Sequence, residues 1–292
     1  MPETSPFQTK AVIRDLLTRA GLHPHKRLGQ CFLIDRNLMN KLLESAELTP
    51  ADCVLEVGCG TGSLTGLLAE RVARVITVEL DPRLASIARE RLARHPNVRL
   101  LNQDVLANKS TVAPEIEAAV DEAVRHTAGR ILLVANLPYD IATPLIVNLL
   151  LGPLPVRRFC FSVQREVADR FLAGPGTPDY GPVSIVSQSL VSGRRIARLP
   201  PQAFWPVPKV ASSILRLDTL PPERIESHDP ADFARFVRSC FRYRRKTISH
   251  IARMLNLDVR ILPTLSGCEV SPDARPQDIR VDQWIRLHEA AG

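Results

Sequence analysis

Apolar positions along residues 52–218 alternate between short continuous runs and helical spacing. CVLEVG (53–58), RVITVELD (74–81), VRLLNQD (98–104), RILLVAN (130–136) and RFCFSVQ (158–164) read as strands of a parallel sheet. Between them, SLTGLLAERV (63–72) puts Leu64, Leu67 and Leu68 on one helical face. PRLASIARERLAR (82–94) opens with Pro82 at a first helical position. PEIEAAVDEAVRHT (114–127) carries an Ile116, Val120, Val124 stripe, and PLIVNLLL (144–151) is a further helix. GRRIARLP (193–200) and SSILRLD (212–218) predict two antiparallel strands closing the sheet. This alternation predicts an α/β domain over 51–218 with a mostly parallel sheet of seven strands.

The pattern changes at DTLPPERIESHDP (218–230), a polar, proline-rich stretch that predicts a linker at 219–230. Beyond it, Phe233, Phe236, Val237, Cys240 and Phe241 form one helical stripe, with Asp232 as its expected cap. VDQWIRLHEAA (281–291) is another short helix, so 231–292 reads as a small C-terminal helical domain. There is no internal repeat.

Composition narrows the function classes. No apolar stretch approaches the ~20 residues of a membrane span, and the first residues, MPETSPFQTKAVIRDLL, lack the pattern of a secretory signal. The expectation is a cytoplasmic protein without a membrane partner. Cys31, Cys53, Cys59, Cys160, Cys240 and Cys268 include no C-x-x-C pair, so reduced thiols and no metal site are expected. The formal net charge of +7 comes from 38 Lys and Arg against 31 Asp and Glu. A polyanionic partner suits that balance, as does a merely arginine-rich composition.

EVGCGTGSLT (56–65) follows the first strand and opens a helix. Alternating Gly58, Gly60 and Gly62 permit a tight turn and close approach of a ligand to the backbone. A dinucleotide fingerprint would want its third glycine where Ser63 stands. E-x-G-x-G-x-G instead suits a nucleoside-type ligand without pyrophosphate, such as S-adenosylmethionine. Glu79 ends the second strand, where a carboxylate accepts from ribose hydroxyls. Asp104 ends the third, where an acceptor meets an adenine amino group. Alone, Glu79 reads as a surface acid and Asp104 as a turn former. Together they point to the carboxyl edge of one sheet.

Asn136-Leu137-Pro138-Tyr139 ends the fourth strand on that edge. An aromatic amine is a poor nucleophile because its lone pair is delocalised into the ring. Acceptors on its two hydrogens draw it toward tetrahedral geometry and free the pair. The Asn136 oxygen and a carbonyl at Leu137 or Pro138 suit that task; proline fixes the turn and Tyr139 offers a face for a base. Catalysis is then mainly orientation, with no strong general base.

These landmarks, with HKRLGQCFLID (25–35), NLPYDIATPL (136–145), VQREVADRF (163–171), YGPVSIVSQ (180–188), FWPVPKVASSILRL (204–217) and RRKT (244–247), resemble the 16S ribosomal RNA adenine dimethyltransferases. The resemblance runs from about 25 to 255. It implies a Rossmann-like class I S-adenosylmethionine-dependent methyltransferase fold, with the N-terminal 1–50 as a basic segment and helices covering the cofactor site. It implies an enzyme that dimethylates two adjacent adenosines in the 3′-terminal hairpin of small-subunit rRNA, leaving S-adenosyl-L-homocysteine, during 30S biogenesis. Cofactor contacts carried over are Cys31, Leu33, Gly58, Gly60, Glu79, Asp104 and Asn136. Asn136, Leu137, Pro138 and Tyr139 would surround the target amine, and Phe204 would sandwich the flipped base against Tyr139. The sequence departs from the family's usual residues at Cys31, Asp140, Ala142 and Pro182, and in a longer 107–129 segment.

The segment 233–255 contains seven basic residues (Arg235, Arg238, Arg242, Arg244, Arg245, Lys246 and Arg253) and no acid. Arg238, Arg242, Arg244, Arg245 and Lys246 are the expected RNA contacts, together with Lys26 and Arg27 in HPHKRLG (23–29). Recognition of rRNA shape and phosphate by a monomer, acting on a 30S assembly intermediate, is the resulting expectation. Two other functions share many of these features: an rRNA adenine methyltransferase conferring antibiotic resistance, and an assembly factor that retains the fold without turnover.

Overall fold

The computed structural model describes residues 7–24, 30–225 and 229–292. Seven strands form the main sheet: β1 (Cys53–Val57), β2 (Arg74–Glu79), β3 (Val98–Asn102), β4 (Ile131–Asn136), β5 (Val156–Gln164), β6 (Val191–Leu199) and β7 (Ser212–Thr219). Their order is β3-β2-β1-β4-β5-β7-β6. β1 runs parallel to β2 and β4, β2 to β3, and β4 to β5, whereas β7 is antiparallel to β5. Every residue of β1 is buried, as expected of a strand covered on both faces. The chain progresses outward from β1 in one direction and from β4 in the other. Open α/β sheets bind ligands at such a reversal, beyond the carboxyl ends of the strands.

One face is closed by the helices Arg36–Ala46 and Ser63–Ala69, whose Met39, Leu42, Leu64 and Leu68 pack with Val54, Val134, Cys160 and Ile214 in a single cluster. Each such side chain contributes roughly 1.5–3 kcal/mol. Asp35 caps Arg36–Ala46, accepting from Leu38 N at 3.0 Å. That helix ends at Glu47, in a left-handed conformation with φ 48°.

At this end, beside the amino terminus of β5, Arg216 is 7% exposed and donates to Asp218 (2.7 Å), Glu47 (2.5 Å) and the Ser45 carbonyl (3.0 Å). Arg158 donates to Asp218 (2.6 Å), Glu47 (2.8 Å) and the Ala46 carbonyl (2.8 Å). Two guanidinium groups thereby satisfy helix-end carbonyls and both carboxylates. The Arg216 bond holds the Glu47 carboxyl down at about 2.

The longer 107–129 segment contains a hairpin of Leu106–Asn108 with Thr111–Val112, then the helix Pro114–Arg125, with Ile116 and Val120 buried as the stripe predicts and Val124 partly exposed. The helix Lys10–Arg19, not delimited by the sequence pattern, buries Ile13 and Leu17 with Leu22 and Leu84. A two-residue pairing joins Phe32–Leu33 to Phe204–Trp205.

The chain divides into two compact units, 1–168 with 194–218, and 169–193 with 219–292. The first ends at 218, where the proline-rich stretch begins; the second also takes in 169–193, which the apolar pattern places with the sheet. Local bonds explain this: Tyr180 Oη donates to the Ile279 carbonyl (2.8 Å), and Gly176 N to the Gln277 carbonyl (2.8 Å). The expected linker holds a short helix, Pro222–Ile225. In Pro230–Phe241, Phe233, Val237 and Cys240 are buried, and Phe236 and Phe241 lie edgewise or tilted against Trp284. The cap of this helix is Asp229, not Asp232: Pro230 occupies the first helical position, and Asp229 accepts from Ala231 N at 2.9 Å. Asp232 pairs instead with Arg235 (2.7 Å) and His288 (2.8 Å). Among the described residues, no helix is long and apolar enough to cross a membrane.

Candidate active site

The turn after β1 requires its glycines. Gly58, Gly60 and Gly62 have φ of 82°, 57° and 81°, a region L side chains rarely adopt. A Cβ on Gly60 would also lie 2.8 Å from Phe32 Cε1, and one on Gly58 3.0 Å from Pro138 Cγ. The glycine turn and the Asn-Leu-Pro-Tyr turn are therefore in direct contact. Gly58 N donates to the Val78 carbonyl (2.8 Å), and Gly60 N to Glu79 Oε2 (2.8 Å). Asp81 N donates to the other carboxylate oxygen, Glu79 Oε1, at 2.9 Å. Burial raises the Glu79 carboxyl above its ordinary range despite these donors.

A cavity of about 210 Å³ opens at the carboxyl ends of β1, β2 and β4 and beside the residues that follow β3. Cys31, Leu33, Gly58, Gly60, Glu79, Asp104, Asn136, Leu137, Pro138 and Tyr139 all line it. So do four acids, Glu56, Glu79, Asp104 and Asp140, and no lysine or arginine among the described residues. That lining bears on the two ligand classes left open by the glycine spacing. A pyrophosphate would meet carboxylates and no cation. A nucleoside carrying a positive charge would meet acceptors for its hydroxyls and amine.

Glu56 is the acid that opens E-x-G-x-G-x-G, and sequence reasoning assigns it no role, although a carboxylate within the apolar run CVLEV is a visible signal. It is 1% exposed and accepts from Thr65 Oγ1 (2.6 Å) and Thr77 Oγ1 (2.7 Å). Burial pushes its carboxyl up to about 7. β3 ends at Asn102, so Asp104 lies two residues beyond the strand rather than at its end; its Oδ1 accepts from Leu106 N at 2.9 Å, which fixes the carboxylate there.

Asn136 is held at both ends of its amide. Nδ2 donates to the Cys31 carbonyl at 2.9 Å, and Ser162 Oγ donates to Oδ1. Tyr139 Oη and Ser212 Oγ are 2.8 Å apart, which sets the ring's tilt; burial raises the phenol's pKa and so disfavours its ionised form. Pro138 O accepts from Ile141 N at 3.4 Å, closing the turn. Ser162 and Ser212 escape sequence reasoning because β5 and β7 bring them in from distant positions.

Phe204 does not join this group. It is 1% exposed, pairs in register with Leu33 and packs in the cluster that contains Val134 and Cys160. Lys26 and Arg27 lie outside the described residues. In the second unit, Arg238, Arg242, Arg244, Arg245 and Lys246 are exposed.

The model of the ribosomal RNA adenine dimethylase family matches residues 21–291. "Ribosomal RNA small subunit methyltransferase A" of Alkaliphilus oremlandii is 34% identical over 284 residues, covering 96% of this chain and 95% of the relative. The protein of that name from Bacillus cytotoxicus is 36% identical over 282 residues, covering 95% and 94%. Among solved structures, the 23S rRNA methyltransferase ErmE superposes with a TM-score of 0.65 at 29% identity, covering 89% of this chain and 98% of that one. A dimethyladenosine transferase from Plasmodium falciparum shares the fold, with a TM-score of 0.69 at 23% identity over 87% and 94% of the two chains. The family model spans most of the sequence and the relatives are matched over nearly their whole length, so this chain belongs to the ribosomal RNA adenine dimethylase family.

Proposed function

We propose that this chain transfers methyl groups from S-adenosyl-L-methionine to the 6-amino nitrogens of two adjacent adenosines in the 3′-terminal hairpin of small-subunit rRNA. The substrate is a 30S assembly intermediate in the cytoplasm, and the enzyme acts as a monomer. The observation that carries this reading is the single acid-lined cavity shared by Gly58, Glu79, Asp104 and Asn136-Leu137-Pro138-Tyr139. The residues present fit the donor: acceptors for ribose and adenine, a tight backbone turn and no phosphate-binding cation.

Bound there, S-adenosylmethionine supplies an electrophilic methyl carbon on a sulfonium. Glu79 accepts from the ribose hydroxyls and Asp104 from the adenine amine. Gly58, Gly60, Cys31 and Leu33 wall the nucleoside. Asn136 Oδ1 keeps a lone pair beyond its bond to Ser162, and this pair takes one hydrogen of the target amine. A main-chain carbonyl, Leu137 O or Pro138 O, is the second acceptor; Pro138 O also accepts from Ile141 N and likewise keeps a lone pair. With both hydrogens held by these acceptors, the nitrogen lone pair would be free to take the methyl group that the bound donor would supply, with S-adenosylhomocysteine leaving, and the nitrogen would pass its proton to water. Tyr139 stacks on the base, whose extrusion from the RNA costs a few kcal/mol. Phe204 lies beneath the surface as described and serves this reading as a support of Leu33; stacking by its ring would require it to leave the core. Arg238, Arg242, Arg244, Arg245 and Lys246 contact phosphate.

Incubation with labelled S-adenosylmethionine and unmodified small subunits, followed by digestion of the rRNA, tests the proposal. Dimethyladenosine in the 3′-terminal hairpin is the expected product. Label confined to large-subunit RNA would assign a resistance-type methyltransferase, and tight subunit binding without label an assembly factor.

A further inference from the structure

Gln8 is fully buried, 53 residues from the glycine turn it touches. Its side chain makes two complementary bonds to one residue: Nε2 donates to the Thr61 carbonyl (2.9 Å), and Thr61 Oγ1 donates to Oε1 (2.5 Å). Its backbone N donates to Ser63 Oγ at 3.1 Å. The next residue, Thr9, caps the helix Lys10–Arg19, whose Ile13 reaches the cavity wall.

The turn needs such a hold. Three glycines with positive φ give it great freedom in the unfolded chain, and the helix it opens has no side-chain cap from Gly62. On one flank, Gly60 N is tied to Glu79. That carboxylate is also the acceptor the proposed ligand would use, so it is a shared tether. Gln8 supplies the other flank without being offered to the ligand: it does not line the cavity. Bonds between fully buried polar groups are made in place of water and are costly to break.

We propose that Gln8 is a positioning residue for the cofactor-binding turn, holding residues 60–63 in the conformation that accepts the nucleoside of the methyl donor. The inference rests on the proposed donor. It predicts an effect on donor affinity and none on the handling of RNA.

The test is calorimetric titration with S-adenosylhomocysteine, alongside steady-state kinetics on small subunits. Gln8→Ala should weaken S-adenosylhomocysteine binding and raise the KM for S-adenosylmethionine by about tenfold, the effect of one to two buried bonds. The KM for subunits and kcat at saturating donor should stay within about twofold. Thr61→Val should cause a smaller loss, because it removes the Oγ1–Oε1 bond and leaves the main-chain carbonyl that Gln8 Nε2 meets, and the double variant should lose little more than Gln8→Ala, which already breaks both bonds. Should Gln8→Ala not fold, Gln8→Met conserves volume and carries the same expectation. Unchanged donor affinity in a folded variant, with only a lower Tm, would overturn the inference and leave the donor assignment intact. Failure of the unaltered protein to bind S-adenosylhomocysteine would overturn the donor assignment itself.

Discussion

Asn136 Nδ2 donates to the carbonyl oxygen of Cys31, 2.9 Å away and 105 positions earlier in the chain. With Ser162 on the opposite end of the amide, the side chain is oriented before any substrate arrives. Asn136→Ala should lower kcat about 100-fold, as loss of a preorganised polar group does, and change S-adenosylhomocysteine affinity far less. Equal losses in both would contradict its role at the amine. Ser162→Ala should cost about tenfold in single-turnover rate, since Oδ1 loses the donor that aims it.

The arginine row makes a prediction about salt. Changing Arg242, Arg244 and Arg245 to Ala should weaken rRNA binding and reduce the slope of log K against log salt by about 2 to 3, near one for each phosphate no longer neutralised. An unchanged slope across a salt titration would remove these side chains from the RNA interface.

Glu56 gives a pH signature. Its carboxyl is raised from an ordinary value of 4.5 to about 7 in the folded protein. The folded state therefore holds a proton that the unfolded state releases between those values. Stability from this group is full below the unfolded pKa and is lost as pH rises toward 7. Glu56→Gln should flatten that limb. Urea unfolding at several pH values should show wild-type stability falling relative to the variant by up to ~3 kcal/mol across the window; parallel curves would argue against a buried protonated carboxyl.

The opposite limb belongs to Glu47 and Asp218, both lowered below the usual carboxylate range in contact with Arg216 and Arg158. Their contribution is present above the unfolded pKa and is lost as pH falls toward 2. Arg216→Met should cost about 2 kcal/mol, less than a fully buried pair because the Glu47 side chain is 57% exposed. It should also shrink the acid-induced loss. Stability curves from pH 5 to 2 for the two proteins check both statements.

The sheet was legible wherever burial on both faces left continuous apolar runs, as in β1 and β4, and wherever glycine spacing had a backbone reason. Ten of the residues proposed for chemistry or donor binding converge on one cavity: eight end strands of the sheet or lie in the segments just beyond them, and Cys31 and Leu33 come from the stretch before β1. Bonds made by distant parts of the chain were not legible. Gln8 looked like any polar residue near a helix start, since its partners lie more than fifty positions away. Phe204 sits in a recognisable motif, yet only the pairing of its backbone with Leu33 reveals that its ring packs inward. Asp232 and Asp229 are alike as caps until the proline between them chooses one.

The second unit is assembled from two stretches of chain, 169–193 and 219–292, joined by bonds such as that from Tyr180 to Ile279. A gene fragment starting after 218 would therefore lack the stretch of sequence that supplies Tyr180 and would leave part of its interior open to water. Exchange of this unit between related genes by a single crossover would mismatch the two halves. This unit can diversify by substitution or by replacement at two junctions together, but it does not travel as a detachable tail.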